Sequence, residues 1–231
     1  MDFSGRHVVV TGGTGALGSA VVGALLDAGA RCRVPYVHLT EAQRFVHSEH
    51  ERVKLVAVTD LADEHSVAKV YDGIEPWASI HIAGGFAMGK IVDTGKAALL
   101  AQLETNLISC FLCCRAAVTA MQAAGGGRIV NVSARAGLEW RHGAGMVAYT
   151  VAKAGVAALT AALAEEVVGD GILVNAVAPS IMDTPANRRT MPQADHEAWP
   201  TVEQVAATIQ FLASPENTVT RGAVVPVYGK S

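Results

Sequence analysis

The sequence is poor in several kinds of residue, and each shortage narrows what the protein can be. Aromatic side chains make up only 5% of the 231 residues. Proteins that stack nucleic-acid bases on aromatic platforms need more of them, interleaved with basic patches. Those patches are missing too. Eighteen Lys and Arg against 21 Asp and Glu give a net charge of −3, so no overall positive field attracts a polyanion, and no nucleic-acid partner is expected. Arg188-Arg189 is the one tight arginine pair. No stretch of 18 uninterrupted apolar residues occurs, which argues against a membrane span. The opening residues Met1-Asp2-Phe3-Ser4-Gly5-Arg6 lack the charged leader, apolar stretch and small-residue cleavage site of a signal peptide, so the cytoplasm is the expected location. Cysteine is also scarce: Cys32, Cys110, Cys113 and Cys114. The last three include a Cys-x-x-Cys, but no second pair and no suitably spaced histidine accompanies it. They are expected to be small buried core residues, and no metal site is expected.

What is present is apolar. Hydrophobic residues make up 51% of the chain and charged residues 17%, enough for a sizeable packed core. Short apolar runs without polar alternation fall at His7–Val10, Arg31–Val37, Lys54–Val58, Ser79–Ala83, Arg128–Ser133, Leu173–Ala178 and Ala223–Val227. Helical patterns separate them at Gly18–Gly29, Asp63–Ile74, Lys96–Ala124, Tyr149–Gly169 and Val202–Ala213. Pro35 weakens the second run, since a central strand tolerates proline poorly. Apolar strands alternating with helices imply an α/β chain: one doubly wound parallel sheet of the Rossmann type, about seven strands, with helices on both faces. Residues 1–231 read as one domain, with a lid at about 184–200. Sites in this architecture lie beyond the C-terminal ends of the strands.

The first strand runs into Thr11-Gly12-Gly13-Thr14-Gly15-Ala16-Leu17-Gly18. Gly13, Gly15 and Gly18 satisfy G-x-G-x-x-G, and the motif follows a strand and opens a helix, as its mechanism requires. The turn lets backbone approach a pyrophosphate, while the helix start offers unpaired N–H groups and a positive dipole end. Gly12, Thr14, Gly15, Ala16, Leu17 and Gly18 are therefore candidate dinucleotide contacts. The second strand ends at Tyr36-Val37-His38 without the carboxylate that would accept hydrogen bonds from the ribose hydroxyls of NAD. Arg33, His38 and Arg44 are the cations within reach of a 2′-phosphate. The cofactor expectation is NADP or NAD, leaning to NADP.

Tyr149-Thr150-Val151-Ala152-Lys153 opens a helix, and the i, i+4 spacing puts Tyr149 and Lys153 on one face. Free tyrosine, with a pKa of ~10, is rarely ionised at neutral pH. An adjacent ammonium favours the phenolate, which would make Tyr149 a usable general acid/base.

Together these segments resemble the short-chain dehydrogenase/reductase family, over essentially the whole chain. Thr11, Gly12 and Gly18 match its glycine motif, with Ala16 at the usual middle glycine. Asp60-Leu61 resembles its adenine contact, and Ala83-Gly84-Gly85 the end of its Asn-Asn-Ala-Gly motif, with His81 and Ile82 in place of both asparagines. Tyr149 and Lys153 are followed by Ala154-Gly155, as in the family, and Val227-Tyr228-Gly229 stands where relatives have Val-Asp-Gly. The resemblance implies that Lys153 also binds the cofactor ribose and that Asn106 supports a proton relay. It further implies that Pro179, Ile181 and Thr184, in Pro179-Ser180-Ile181-Met182-Asp183-Thr184, lie at the nicotinamide, with Ile181 and Thr184 contacting its carboxamide. The family's serine slot aligns with Ala134, leaving Ser133, one place early, as a candidate substitute that would need a bulge to turn its side chain.

The implied activity is hydride transfer between a nicotinamide and a small carbonyl or alcohol. The segments 83–86 and 184–195 are similar to the dihydropteridine reductase branch, whose members also lack the serine, so reduction of a pterin or similar conjugated substrate is the alternative. A non-catalytic dinucleotide-binding regulator is a third reading. Trp140, Arg141 and His142 are expected near the substrate opening. Apolar residues all round the helices that carry Asn106 and Tyr149 lead to the expectation of a homodimer or homotetramer.

Overall fold

Val8, Val9 and Val10 are fully buried because their strand lies inside a sheet covered on both faces. In the computed structural model, which describes residues 1–231, the elements run β1 (His7–Thr11), α1 (Ala16–Asp27), β2 (Arg31–Tyr36), α2 (Leu39–Arg44), β3 (Val53–Ala57), α3 (Glu64–Tyr71), β4 (Pro76–His81), α4 (Lys96–Leu103), α5 (Ser109–Ala124), β5 (Gly127–Val132), α6 (Arg135–Leu138), α7 (Val147–Glu166), β6 (Ile172–Pro179), α8 (Pro185–Thr190), α9 (Val202–Ala213) and β7 (Val224–Val227). All seven strands pair in parallel in the order β3-β2-β1-β4-β5-β6-β7. The order reverses between β1 and β4, and this switch point is where such sheets bind ligands.

The period-two alternation of a strand divides the core in two. Val8 and Val10 pack with Val21 and Leu25 of α1 and Ile209 and Leu212 of α9. Val9 faces the opposite layer, with Cys113 and Met121 of α5 and Val156 of α7. Helix ends follow local chemistry. Gly125 ends α5 in the left-handed conformation at φ 84°, and Thr201 with Gln204 forms a reciprocal capping box on α9.

Pro35 sits in an interior strand after all, and the hydrogen-bond phase explains why. Arg31 N–H donates toward β1, to Arg6 O, while Cys32 N–H donates toward β3, to Arg52 O. Alternate residues face alternate neighbours, so Pro35 faces β1. Pairing with β1 ends at Val9–Arg33, so the missing N–H costs no ladder bond.

The helix expected across 96–124 is interrupted by a π-turn, Glu104–Ile108, between α4 and α5. Both Lys96–Ala124 and Val147–Glu166 are long and apolar enough to cross a membrane. Here they lie against the sheet and each other, and polar groups such as Asn106, Lys153 and Thr160 are buried along them.

Candidate active site

The glycine turn is packed so closely that side chains are excluded from it. Gly12 adopts φ +67°, and a Cβ there would lie 2.7 Å from Ala83 N; a Cβ on Gly18 would lie 2.1 Å from Gly12 O. Thr11 Oγ1 accepts from Ala83 N–H at 3.3 Å, tying the ends of β1 and β4 together at the switch point. Helix α1 starts at Gly15 with no side-chain cap and no acidic residue in its first turn, so its N–H groups remain open to an anion. Gly15 and Ala16 are exposed and Thr14 half-buried. Leu17 is 4% exposed and packs into the core, so its side chain is structural.

At the end of β2, Tyr36 is half-buried and His38 exposed at the start of α2. Arg33, one of the three cations considered for a 2′-phosphate, is turned away. It is buried and donates to Val70 O at 3.1 Å and Asp72 O at 2.7 Å. Asp60 is exposed, its carboxylate accepting from Ala62 N–H at 2.8 Å, and Leu61 is buried. Pro179 is buried at the end of β6, Ile181 is exposed, and Thr184 Oγ1 caps α8 by accepting from Asn187 N–H. A dinucleotide is thus matched by an uncapped helix start, glycines that admit no Cβ, and a second strand that ends without a carboxylate.

Helix α7 brings Tyr149 and Lys153 together beyond the end of β5. The Tyr149 ring packs edge-on against Phe86, with centroids 5.0 Å apart. Lys153 is 5% exposed; its Nζ lies 6.0 Å from the Tyr149 ring centroid and donates to Val132 O at 2.9 Å. Burial pushes the lysine down to about 8 and the tyrosine up to about 12. The expected lowering of Tyr149 by the ammonium is therefore not expressed in this geometry. The lysine is pinned to the β5 backbone, and desolvation of the phenol dominates.

Asn106 occupies the π-turn at 1% exposure and clamps Gly85: Oδ1 accepts from Gly85 N–H at 3.2 Å and Nδ2 donates to Gly85 O at 2.9 Å. A Cβ on Gly84 would fall 2.7 Å from Asn106 Oδ1 and 3.3 Å from Lys153 Nζ, so this glycine lets the two polar groups approach. Ser133 is placed differently from the reading that made it a catalytic substitute. It is 2% exposed, and its hydroxyl donates to Lys153 O at 2.8 Å. The extended backbone of Ala134 leaves no bulge to redirect it.

Phe86 is exposed where it packs on Tyr149, and Met88, which had no sequence signal, is exposed nearby; Trp140, expected near the substrate opening, is exposed and donates from Nε1 to Gly137 O. A hollow of about 50 Å³ is lined by Met88, Thr94, Gln102 and Met146, and Gln102 Oε1 is buried without a partner. A wide-open concavity of about 920 Å³ lies at the N-terminal ends of β1, β4 and β5, around Arg6, Trp77 and Arg128, away from this chemistry. Segment 184–200 is tied at its base by Asp183 N–H to Pro200 O and by the Asp183–Arg188 ion pair, with His196 packed on Trp199. All four cysteines are free and buried. The fold also brings His81 against Cys110 and Cys114, a partner that linear spacing could not disclose.

A glycine turn under an open helix start, with tyrosine and lysine one turn apart beyond the neighbouring strands, defines a nucleotide-dependent oxidoreductase of the short-chain class. The model for short chain dehydrogenase matches residues 6–195, and the chain belongs to that family. It is 32% identical over 242 residues to the galactitol 2-dehydrogenase of Rhizobium johnstonii, covering 97% of this chain and 94% of that one. It is 34% identical over 245 residues to the cis-4-hydroxycyclohexanecarboxylate dehydrogenase of Sinomonas cyclohexanicum, covering 98% and 96%. Among solved structures, gox2181 superposes with a TM-score of 0.88 at 28% identity over 99% of this chain and 96% of that one. ElxO with NADP bound superposes with a TM-score of 0.89 at 24% identity over 97% of each chain. The protein is accordingly an NAD(P)-dependent oxidoreductase acting on a small-molecule substrate.

Proposed function

We propose that the protein interconverts a small secondary alcohol and its ketone, with Tyr149 exchanging the proton and Lys153 supporting it. The observation that carries this reading is the Tyr149–Lys153 pair on one helical turn, facing Asn106 and Gly84 at the switch point. When bound, the dinucleotide supplies or accepts the hydride. The turn from Gly12 to Gly18 and the α1 N–H groups would hold its pyrophosphate. Tyr36 and His38 would lie at the adenine ribose, Asp60 and Leu61 at adenine, and Ala83, Gly84, Gly85 and Lys153 at the nicotinamide ribose. Pro179, Ile181 and Thr184 would lie at the carboxamide. With no carboxylate at the end of β2, nothing there repels a 2′-phosphate, and His38 offers a ring N–H, which favours NADP; the NADP named for ElxO agrees with this.

The names galactitol 2-dehydrogenase and cis-4-hydroxycyclohexanecarboxylate dehydrogenase, both dehydrogenases of hydroxyl-bearing compounds, support an alcohol substrate. The exposed Phe86, Met88 and Trp140 suit one with an apolar face. Segment 184–200 would act as the lid over it. Free thiols fit the cytoplasm. Exposed Leu100, Ile108 and Phe111, with Val147 and Val151 on α7, support a homodimer or homotetramer.

The test is a matrix of NADPH and NADH against cyclic and open-chain ketones and quinonoid dihydropterin. Ketone turnover with NADPH preferred is the expected result. Turnover of the pterin alone overturns the alcohol reading, and no turnover alongside tight dinucleotide binding identifies a regulator.

Ser133→Ala separates structure from catalysis. The hydroxyl is committed to Lys153 O, so the variant should keep turnover within a few-fold and lose about 1 kcal/mol of stability in denaturant melts. A hundredfold loss of kcat at unchanged stability would return Ser133 to the reacting centre.

A further inference from the structure

One residue before the β5 carbonyl that holds Lys153, the buried amide of Asn131 is asked to do too much. Its Nδ2 donates to Thr160 Oγ1 at 2.9 Å, which turns Oδ1 toward α5. Three groups converge on that oxygen: His81 Nδ1 at 2.8 Å, Cys110 Sγ at 3.3 Å and Cys114 Sγ at 3.4 Å. An amide oxygen has two lone pairs, so these three groups cannot all donate to it. Cys114 Sγ is also 3.5 Å from His81 Nδ1. All four side chains are essentially sealed from solvent, Cys110 being the most open at 5%.

We propose that His81, Cys110, Cys114 and Asn131 form a closed structural site for zinc(II) that fastens β4, β5 and α5 together behind the catalytic face. The imidazole nitrogen and two sulfurs are ligand types that zinc takes in tetrahedral structural sites, and the Asn131 amide oxygen stands at the fourth position. Bond lengths of ~2.0–2.3 Å set ligand-to-ligand edges at roughly 3.3–3.8 Å. The His81 nitrogen and both sulfurs already lie within 4.8 Å of one another, so small side-chain shifts suffice.

Charge favours zinc over copper(I). Both thiols lose their protons on binding, and two thiolates cancel a dication, so the core holds no net charge. A monocation would leave a negative charge buried. The second nitrogen of His81 is also provided for. Nε2 lies 2.8 Å from Ser79 Oγ and 3.3 Å from Tyr71 OH, and an Nε2–H donated there leaves Nδ1 free to ligate. An outer hydrogen bond of this kind orients a metal-binding histidine. No ligand position faces the surface, so the ion would be loaded during folding and would take no part in the hydride step.

The experiment uses the whole chain. Wild-type protein purified from zinc-supplemented cells is passed through a chelating column and its metal content measured; a second sample is unfolded with chelator and refolded with zinc(II), with cobalt(II) or without metal. The expected results are about one zinc per chain, thiolate-to-cobalt charge-transfer absorption in the cobalt sample, and a lower melting temperature without metal. Cys114→Ser, which keeps a hydroxyl donor, and His81→Asn should lower the content below about a tenth of an equivalent. Wild-type protein with less than about a tenth of an equivalent of zinc and a melting temperature independent of metal overturns the proposal. So does zinc retained by both variants. If either variant fails to fold, the cobalt spectrum of the refolded wild type decides, and absence of the charge-transfer band overturns the site.

Discussion

Tyr149→Phe should lower kcat by about 10²–10⁴-fold while leaving dinucleotide affinity and melting temperature nearly unchanged. The phenylalanine ring keeps the edge-on contact with Phe86, and the hydroxyl makes no hydrogen bond within the chain that the fold would miss. What is lost is the proton. Burial holds the phenol up at about 12, so it is neutral at working pH and ready to donate to a ketone oxygen as hydride arrives. The reverse reaction needs the phenolate. Wild-type alcohol oxidation should therefore rise with pH, by about tenfold per unit while the phenol remains mostly protonated, whereas ketone reduction stays flat. Steady-state rates in both directions, with cofactor titration of the variant, check this. A variant that turns over like wild type, or an oxidation rate indifferent to pH, removes Tyr149 from the chemistry.

Lys153→Met should inactivate the enzyme and at the same time stabilise the cofactor-free protein. Burial depresses the lysine from 10.5 to about 8. Between those values the unfolded chain binds the proton and the folded one does not, so wild-type stability rises with pH across the window. Below pH 8 the folded state carries the whole penalty, about 3 kcal/mol. Methionine fills a similar volume without charge, but gives up the hydrogen bond to Val132 O, worth about 1 kcal/mol. The net gain near pH 7 is about 2 kcal/mol, or roughly 4–8 °C in melting temperature for a chain of this size. The advantage should vanish above about pH 10. Calorimetry of both proteins across pH decides. A variant that melts lower than wild type at pH 7 would mean that Lys153 is held by interactions stronger than its desolvation.

These predictions rest on features of unequal legibility. The parallel sheet was readable because strands such as Val8–Val10 are apolar on both faces, as only a doubly covered strand is. The glycine turn and Tyr149–Lys153 were readable because each is a local device whose spacing is its mechanism. Contacts between distant residues were not. That Arg33 spends its charge on the carbonyls of Val70 and Asp72, or that Ser133 is claimed by Lys153 O, depends on side-chain partners supplied by the fold. His81 and Asn131 are fifty positions apart in sequence and adjacent in neighbouring strands. The short helices α2, α6 and α8 carry too few residues for a 3.6-residue period to register. The π-turn left no mark because one extra residue in a long apolar helix alters no residue type.

That extra residue works as a phase offset. An α-helix advances about 100° per residue, so inserting one sets the two halves of a helix out of step by that angle. Leu103 and everything before it keep one clock, and Ser109 and everything after it another. Deleting a single residue between 104 and 108 would heal the helix and spoil the molecule. With α5 held against the sheet, Lys96–Leu103 would rotate by about 100°, and the face that α4 turns to α7 would swing toward solvent.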